Sequence, residues 1–391
     1  MPERGPAVPP LGGGLFTGLL RLVRLDDTST KGVRRRVVVI ALLAWLPLLV
    51  LATVQGHLLE GVAVPFARDI EVHVRLLVVI PLLLVAEVEA RRFLPTVVQE
   101  FPRRNLVPAD AMPRFEAAVA SGSRLRNSAL AEAGLLVLVF AVFMGIIWRQ
   151  YGSSYASTWY ASSTPQGSQL TLAGHWLVFV SLPIVQFLML RWYMWIFTWA
   201  RFLWQVSRIR LELAPTHPDR AGGLGFLESS GHIFLMVAVA HGALAAGPIA
   251  SLILFKGAAL TEFADELALL IAWVICVVLG PLVFFMPQLV AAKKVGLFEY
   301  GRLAERYVRT FQAKWLDDRA HTDEPLVGSA DIQSLADLGN AYGVVEGLRL
   351  APISYVAVIR LAVTTLIPVA PLLLTMVPLN ELVLKLFSFA L

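Results

Sequence analysis

Seven long apolar runs divide the chain, and each is long enough to cross the hydrocarbon core of a bilayer as a helix. They cover residues 37–54, 72–88, 130–148, 172–197, 233–255, 267–290 and 355–377. The second run is the weakest, because Arg75 and Glu87 bracket a short apolar stretch that contains Pro81. The pattern predicts an all-α fold: a polytopic transmembrane helical bundle of about seven spans with a small cytoplasmic helical layer.

Basic residues alternate between the segments that join the runs. Lysine and arginine number seven in residues 1–36 and seven again in residues 91–128, whereas residues 150–171 contain none. Because short basic segments stay on the cytoplasmic side of a membrane, the alternation predicts a cytoplasmic N-terminus and, with seven spans, a periplasmic C-terminus. We expect a bacterial inner membrane, and we expect the uncharged segment 151–169 to be a flexible periplasmic connection.

The same map divides the chain into two parts. Residues 1–36 form a cytoplasmic N-terminal segment with an amphipathic helix, and residues 37–391 form a single transmembrane domain. The cytoplasmic loops of this domain are residues 91–129, 200–230 and 291–354. Ser329 is suited to cap a helix in the third loop, where residues 296–338 offer a surface for a cytoplasmic partner. Residues 379–391 have the pattern of a further amphipathic helix on the membrane surface.

Composition agrees with a membrane environment and excludes several other classes of protein. Hydrophobic residues make up 57% of the chain and charged residues 16%, against about 25% charged in a soluble domain. A lipid bilayer is therefore the expected partner. The net charge of +5 lies mostly in the short basic segments, so we expect no nucleic-acid partner. The single cysteine, Cys276, excludes a disulfide framework and a cysteine-based zinc site.

The segment 215–227 concentrates side chains that are suited to ligand binding. It contains His217, Asp219, Arg220, Gly222, Gly223 and Gly225. Glycines let a backbone approach a ligand closely, and they precede a helix N-terminus, where free N–H groups favour anions. One interpretation is a ligand or anion loop in which Arg220 supplies charge; the other is a structural turn that begins at Pro218 and Asp219. The sequence assigns no metal site and no cofactor.

Polar side chains inside the spans are few. Gln186 and His241 are the deepest, and Thr365 lies in the seventh span close to two prolines. The fifth span is rich in small residues, and it also contains a proline. Kinked helices of this kind line a pathway in some proteins and pack tightly in others. We predict a pathway lined by Gln186, His241 and Thr365.

Charged residues also fall inside the predicted spans, close to their ends. They are Arg75, Glu87, Glu132, Arg191 and Arg360. Near a span end a charged side chain reaches the interface at little cost, so we expect these residues to extend toward water. This arrangement argues against a proton relay built from central carboxylates.

Two segments resemble those of a family of multi-span bacterial inner-membrane proteins that are described as hypothetical. The segments are THPDRAGGLGFL at residues 216–227 and GSADIQSLADL at residues 328–338. The resemblance extends over most of the chain from about residue 34. It implies a location in a bacterial inner membrane, but it implies no activity and transfers no site residues.

The leading hypothesis is a channel or transporter-like protein, with the His217 loop as a cytoplasmic gate or ligand contact. One alternative is a membrane-embedded enzyme or ligand sensor that uses His217, Asp219 and Arg220 at the cytoplasmic surface. Another is a non-catalytic scaffold that binds partners through residues 296–338. Assembly into a homo-oligomer is compatible with all three hypotheses.

Overall fold

The computed structural model describes residues 14–27, 29–143, 158–164, 167–317, 325 and 328–376. Its α-helices are α1 (Leu15–Leu22), α2 (Thr30–Val54), α3 (Ile70–Val74), α4 (Ile80–Arg103), α5 (Met112–Arg126), α6 (Ala129–Leu138), α7 (Leu172–Trp176), α8 (Leu182–Ser207), α9 (Phe226–Ser229), α10 (Leu235–Lys256), α11 (Ala264–Leu279), α12 (Met286–Trp315), α13 (Ala330–Glu346) and α14 (Tyr355–Leu366). The predicted all-α class is confirmed. The C-terminal amphipathic helix predicted at residues 379–391 lies outside the described residues.

Short π- and 3₁₀-helical turns join or extend several of these helices. The π turns are Arg75–Val79, Val139–Phe143 and Leu177–Ser181. The 3₁₀ turns are Phe66–Arg68, Ala109–Ala111, Ser230–Phe234, Leu260–Phe263, Gly280–Phe285 and Ile367–Met376. As a result α3 and α4 form one continuous helix over residues 70–103, and α11 and α12 belong to the long helix Leu260–Trp315.

Serine side chains cap the N-terminal ends of α2, α6, α13 and α14. Ser29 accepts a hydrogen bond from the Gly32 N–H at 3.1 Å, and Ser354 accepts one from the Ala357 N–H at the same distance. A cap of this kind gives a partner to one of the N–H groups that a helix leaves unpaired at its start. Ser329 accepts from the Asp331 N–H at 3.1 Å, which confirms the cap predicted at this position.

Five helices of the described chain are long and apolar enough to cross a membrane. They are Thr30–Val54, Leu172–Ser207, Phe226–Lys256, Leu260–Trp315 and Tyr355–Met376. These helices match the first, fourth, fifth, sixth and seventh predicted runs. The second run lies in the helix over residues 70–103, and the third is described only as far as residue 143. The apolar helices are compatible with an integral membrane protein in contact with lipid.

The helices differ in how far their apolar side chains are covered by the rest of the protein. In the apolar window of Phe226–Lys256, 67% of the residues are buried, whereas the figure is 22% for both Thr30–Val54 and Tyr355–Met376. The helix α4 is interior and buries Leu83, Leu84 and Phe101 almost fully. The outer helices therefore present apolar surface that lipid can cover, while α4, α8 and α10 form the core.

A short β-hairpin lies at the end of the bundle opposite α1. Strand β1 (Ala161–Thr164) pairs antiparallel with β2 (Gly167–Leu170). Trp159 anchors this segment, because its indole N–H donates to Asp69 at 2.8 Å and its ring packs edge-on against Phe66. The segment expected to be a flexible connection thus contains an ordered hairpin, held by a buried aromatic contact.

The last turns of α12 form a helical hairpin with α13 outside the core. Lys314 and the indole N–H of Trp315 both donate to Asp331, at 2.8 and 2.9 Å. The Tyr307 hydroxyl donates to the Asp331 carbonyl at 3.0 Å. The hairpin falls within the residues predicted to form a helical layer beneath the membrane, and that location stays a prediction.

Candidate functional site

Charged side chains from α2, α4, α5, α6 and α8 gather inside the bundle. We call this group the arginine–glutamate cluster: Arg36, Glu87, Arg91, Arg126, Glu132 and Arg191. Arg191 is its centre, with Nη1 2.5 Å from Glu87 Oε2 and Nε 2.9 Å from Glu132 Oε1. The other oxygen of Glu87 lies 2.6 Å from Arg91 Nη2. Glu132 is fully buried, and Glu87 and Arg191 are 2% and 5% exposed.

The expectation that these charges reach the interfaces is wrong for Glu87, Glu132 and Arg191. The structure places them against one another because α4, α6 and α8 lie side by side at this depth. Each carboxylate faces a guanidinium, so the cost of burial is offset by attraction and hydrogen bonds. Part of the signal was present in the sequence: Glu87 and Arg91 have the spacing of an intrahelical ion pair.

The N-terminal helix α1 is bound directly to the cluster. The Phe16 N–H donates to Glu132 at 2.8 Å, and Arg91 donates to the buried Thr17 hydroxyl at 3.1 Å. The Arg191 guanidinium lies 4.8 Å from the centre of the Phe16 ring, a distance that allows a cation–π contact. The predicted amphipathic helix is therefore present, and one of its ends covers the buried charges.

Positive charge exceeds negative charge in this cluster. Arg36 is 1% exposed, and its Nη1 and Nη2 atoms make no hydrogen bond with the described residues. Its Nε donates to the Leu25 carbonyl at 3.0 Å, and Asp26 Oδ1 lies 3.9 Å from Nη2, beyond hydrogen-bonding distance. Counting Asp26 with the two glutamates, the four arginines leave one positive charge in excess.

Arg126 lies at the edge of the cluster, where its guanidinium is 5.2 Å from the Trp195 ring centre. No carboxylate of the described chain forms an ion pair with it. Burial, followed by the positive charges of Arg91 and Arg191, lowers the pKa of Arg126 to about 10. Arg126 is still charged at neutral pH, and its lowered pKa reflects burial first and the neighbouring arginines second.

A cavity of about 60 Å³ lies beside Arg126, between α4, α5 and α8. We call it the Arg126 cavity. Its lining residues are Leu94, Pro95, Val98, Val119, Gly122, Ser123, Arg126, Trp195, Thr198, Trp199 and Phe202. Trp195 is 6% exposed, and its buried indole N–H makes no hydrogen bond with the described residues. The cavity thus combines apolar walls with a guanidinium and an unused N–H donor.

The glycine loop after α8 folds around the carboxylate of Asp219. Asp219 Oδ1 accepts hydrogen bonds from the N–H groups of Ala221 at 2.8 Å and Gly223 at 3.2 Å, and Oδ2 accepts one from Gly225 at 2.8 Å. His217 Nδ1 lies 2.9 Å from Oδ1. Most of the predicted ligand-loop residues are therefore brought together, but these N–H groups bind the loop's own carboxylate in the place that an external anion would take.

The turn geometry explains why this segment needs its glycines. Gly222 and Gly223 have φ values of 65° and 96°, in the region that L side chains rarely adopt. A Cβ atom at Gly225 would lie 2.8 Å from the Asp219 carboxylate. Arg220 also has a positive φ of 50°, and its carbonyl accepts the Arg349 N–H at 2.8 Å. The glycines at positions 222, 223 and 225 are thus required by the conformation of the turn.

Arg349 is a residue of this region that sequence reasoning missed. Its Nη2 donates to the Asp219 carbonyl at 2.8 Å, and its Nη1 lies 3.3 Å from Glu228 Oε2. Glu228 in turn accepts from the Ser354 hydroxyl at 2.6 Å. These contacts join the glycine loop to the chain before α14. They therefore help to fix the positions of α8, α9 and α14 relative to one another.

Replacing Asp219 by alanine is expected to destabilise the fold by about 2–3 kcal/mol, because three buried N–H groups lose a charged acceptor. Burial alone would raise the pKa of Asp219, but the N–H donors of Ala221, Gly225 and Gly223 and the charge on His217 outweigh it and lower this pKa. The carboxylate therefore stabilises the fold fully above about pH 3.9, the pKa of an unfolded aspartate, and loses that effect as the pH falls through the folded value.

Unfolding of the detergent-solubilised protein at pH 7 and at acidic pH measures both effects. The matched control is Asp110→Ala, which removes the same charge from an exposed position. Equal unfolding free energies for the two variants at pH 7, or a pH dependence unchanged by Asp219→Ala, would contradict the assigned role.

The predicted pathway residues Gln186, His241 and Thr365 are engaged separately. His241, with its proton on Nδ1, donates to the Val237 carbonyl at 2.7 Å and accepts from the Tyr193 hydroxyl at 2.6 Å. The Thr365 hydroxyl donates to the Leu361 carbonyl at 2.8 Å, and Gln186 Oε1 is buried without a hydrogen-bond partner among the described residues. None of the hydrogen bonds in the described chain joins two of these residues, so the pathway stays a prediction.

The spans that carry Thr365 and His241 pack backbone to backbone. A Cβ atom at Gly242 of α10 would lie 1.9 Å from the Thr365 carbonyl oxygen of α14 and 3.1 Å from Pro368 Cδ. Only glycine permits this approach. Of the two expectations for small residues in this span, tight packing applies at Gly242.

A metal site is not formed within the described chain, where no group of three or more His, Cys, Asp or Glu residues is placed to hold an ion. The charged segment 318–324, which contains Asp318, His321, Asp323 and Glu324, lies outside the described residues. Comparisons with protein-family models, curated proteins and solved structures gave no match. The fold and its outward apolar helices define the class as an all-α protein compatible with the membrane. The arginine–glutamate cluster and the Arg126 cavity are the features of this fold that bear on function.

Proposed function

We propose that the protein is a transporter- or channel-like protein of a bacterial inner membrane that binds a small anion at the arginine–glutamate cluster. The observation that carries the proposal is the excess of positive charge in that cluster, in which Arg36 is buried with no hydrogen-bond partner at either Nη atom among the described residues and Arg91 and Arg126 are half-buried. An ionised group inside a helical bundle is costly unless a countercharge is close, and such groups line ion and substrate pathways in membrane proteins. A small anion supplies the missing negative charge.

The position of the excess charge favours an anion over a proton as the transported species. Glu87 and Glu132 are both engaged by Arg191, so neither carboxylate is free to exchange protons. The unused donors of this region are Nη1 and Nη2 of Arg36 and the indole N–H of Trp195, and Asp26 Oδ1, 3.9 Å from Arg36 Nη2, is an unused acceptor beside them. A site with spare donors and spare positive charge attracts an acceptor that carries negative charge.

We also propose the topology with seven spans, a cytoplasmic N-terminus and a periplasmic C-terminus. Five helices meet the requirement of length and hydropathy, and the helix over residues 70–103 is less apolar because it carries several charged residues, Glu87 and Arg91 of the cluster among them. An interior helix that pairs its charges can cross a bilayer with such residues. The third run and the resemblance to the hypothetical inner-membrane family are parts of the same proposal.

The other functional hypotheses receive less support from the geometry. Asp219 occupies the N–H groups that an enzyme or sensor site in the His217 loop requires for an anion. A scaffold that binds a cytoplasmic partner through residues 296–338, or a homo-oligomer, is compatible with the hairpin of α12 and α13. No observation on that hairpin identifies a partner.

Proteoliposomes on a solid-supported membrane test the proposal. Rapid jumps in chloride, nitrate, phosphate, acetate or butyrate concentration are expected to produce a current, for at least one anion, that empty liposomes do not give. Arg126→Gln is expected to reduce this current by about tenfold or more, because the substitution removes one charge-assisted hydrogen bond to the anion. Arg124→Gln is the matched control, because Arg124 is exposed on the same helix. Absence of current with every anion contradicts the proposal.

A further inference from the structure

The Arg126 cavity is small, and its size limits the ligand. Its volume of about 60 Å³ corresponds to about four to six water-sized positions at roughly 10–15 Å³ each. An engineered cavity that holds benzene is larger, at about 150 Å³. The Arg126 cavity therefore fits a ligand of about four to six non-hydrogen atoms.

The polar groups of this cavity include two neighbouring donors, since the Arg126 guanidinium lies 5.2 Å from the centre of the Trp195 ring. The Arg126 guanidinium and the Trp195 indole both line the cavity, and Ser123 adds a hydroxyl that is 8% exposed. The Thr198 hydroxyl is already used, since it donates to the Met194 carbonyl at 2.8 Å. The lining residues offer an anion the N–H groups of one guanidinium, one indole N–H and one hydroxyl, and no carboxylate among the described lining residues repels it.

The remaining walls are apolar. Leu94 and Val98 come from α4, Val119 from α5, and Trp199 and Phe202 from α8. These side chains offer dispersion contacts to a hydrocarbon tail and no partner to further polar atoms. The cavity therefore selects a ligand with one charged end and an apolar remainder.

We infer that the Arg126 cavity binds a short-chain aliphatic monocarboxylate, whose carboxylate contacts Arg126 and Trp195 Nε1 and whose tail packs against α4 and α8. The inference rests on the proposed function, since it names the class of anion that the cluster receives. Trp195 connects the two regions, because the guanidinium of Arg191 lies 5.7 Å from the centre of its ring.

Other small anions match the cavity less well. Phosphate presents oxygens on all its sides, and any that turned away from Arg126 and Trp195 toward apolar walls such as Leu94 and Val98 would have no partner. Benzoate is larger than the roughly 60 Å³ of this cavity. Chloride leaves the apolar surface without contacts. A carboxylate presents two acceptor oxygens, which the guanidinium and the indole N–H can share.

Binding to the purified full chain in detergent tests the inference, with butyrate as the probe. We expect butyrate to raise the unfolding temperature in a saturable way, while its neutral isostere butyramide and the larger benzoate have little effect. Trp195→Phe keeps the ring and removes the donor, and we expect it to weaken butyrate binding by about threefold or more. Arg126→Gln is expected to weaken it by about tenfold or more.

Matched controls on the same helices separate ligand contact from general damage. Arg124→Gln changes an exposed arginine of α5, and Trp204→Phe changes an exposed tryptophan of α8. Both are expected to leave butyrate affinity unchanged. Because each variant is compared with and without butyrate, a loss of stability alone does not imitate a loss of binding.

The outcomes distinguish the two proposals. Butyrate binding that depends on Arg126 and Trp195 supports the inference, and equal stabilisation by butyrate and butyramide overturns it. A chloride or nitrate current without butyrate binding overturns the inference and leaves the proposed function standing. Butyrate binding without current for any anion overturns the proposed function and leaves the site.

Discussion

Replacing Arg191 by methionine is expected to destabilise the protein by about 3–5 kcal/mol. Arg191 is the residue that bridges Glu87 and Glu132, which are 2% exposed and fully buried. Without its guanidinium, Glu132 keeps only the Phe16 N–H among its described hydrogen bonds. The cost is therefore that of buried, uncompensated negative charge. Thermal or denaturant unfolding in detergent measures the effect.

Removing all three charges separates charge compensation from packing. The triple variant Arg191→Met, Glu87→Gln and Glu132→Gln is expected to recover part of the stability that Arg191→Met loses, because neither glutamate is then a buried charge without a partner, although Arg91 loses its ion pair with Glu87. Arg208→Met serves as the control, since Arg208 is exposed at the end of the same helix and is expected to cost under about 1 kcal/mol. If Arg191→Met lowers the unfolding free energy no more than Arg208→Met does, the pairing of Arg191 with Glu87 and Glu132 is contradicted.

Replacing Gly242 by alanine is expected to separate α10 from α14 and to cost at least about 1–3 kcal/mol. The added Cβ would lie 1.9 Å from the Thr365 carbonyl oxygen, which belongs to the backbone and has little freedom to move. Unfolding in detergent measures the loss, and cross-linking between cysteines placed in α10 and α14 reports the separation.

Gly339→Ala is the matched control for this substitution. Gly339 is also helical, but no atom outside its own helix backbone lies within 4 Å of a Cβ built there. Alanine is the better helix former, so Gly339→Ala is expected to stabilise the protein by about 0.5–1 kcal/mol. Effects of the same sign for the two substitutions would contradict the close contact between α10 and α14.

The sequence predicts those features that depend on neighbouring residues along the chain. The apolar runs locate α2, α8, α10, α11 and α14, because hydropathy over about twenty residues is a local property. Ser329 is recognised as a cap for the same reason, since its hydrogen bond reaches only the Asp331 N–H. Local signals of this kind are sufficient to predict the all-α class without knowledge of how the helices pack.

The arginine–glutamate cluster could not be predicted in this way. Arg191 lies 104 positions from Glu87 and 59 from Glu132, so their pairing depends on which helices are neighbours and at what depth. Hydropathy places each charge near a span end and gives no information about its partner. Burial of Glu132 follows from the packing of α6 against α8, which a single sequence does not reveal.

The glycine loop is an intermediate case. A structural turn is one of its two interpretations from composition, and the structure has a turn with positive φ values at Gly222 and Gly223 in which Asp219 accepts from Gly223 and Gly225. The composition of the loop gives no information about Arg349, which lies 130 positions after Asp219 in the chain and donates to its carbonyl. The residues were identified, but their partners were not.

The contact between α1 and the cluster has a consequence for biosynthesis. Phe16 leaves the ribosome 116 residues before Glu132, the carboxylate that accepts its N–H, and Thr17 leaves it 74 residues before Arg91. The helix α1 can therefore make these two contacts only after α4 and α6 have been synthesised. Its hydrogen bonds thus link the beginning of the described chain to residues of these helices that follow 74 and 116 positions later.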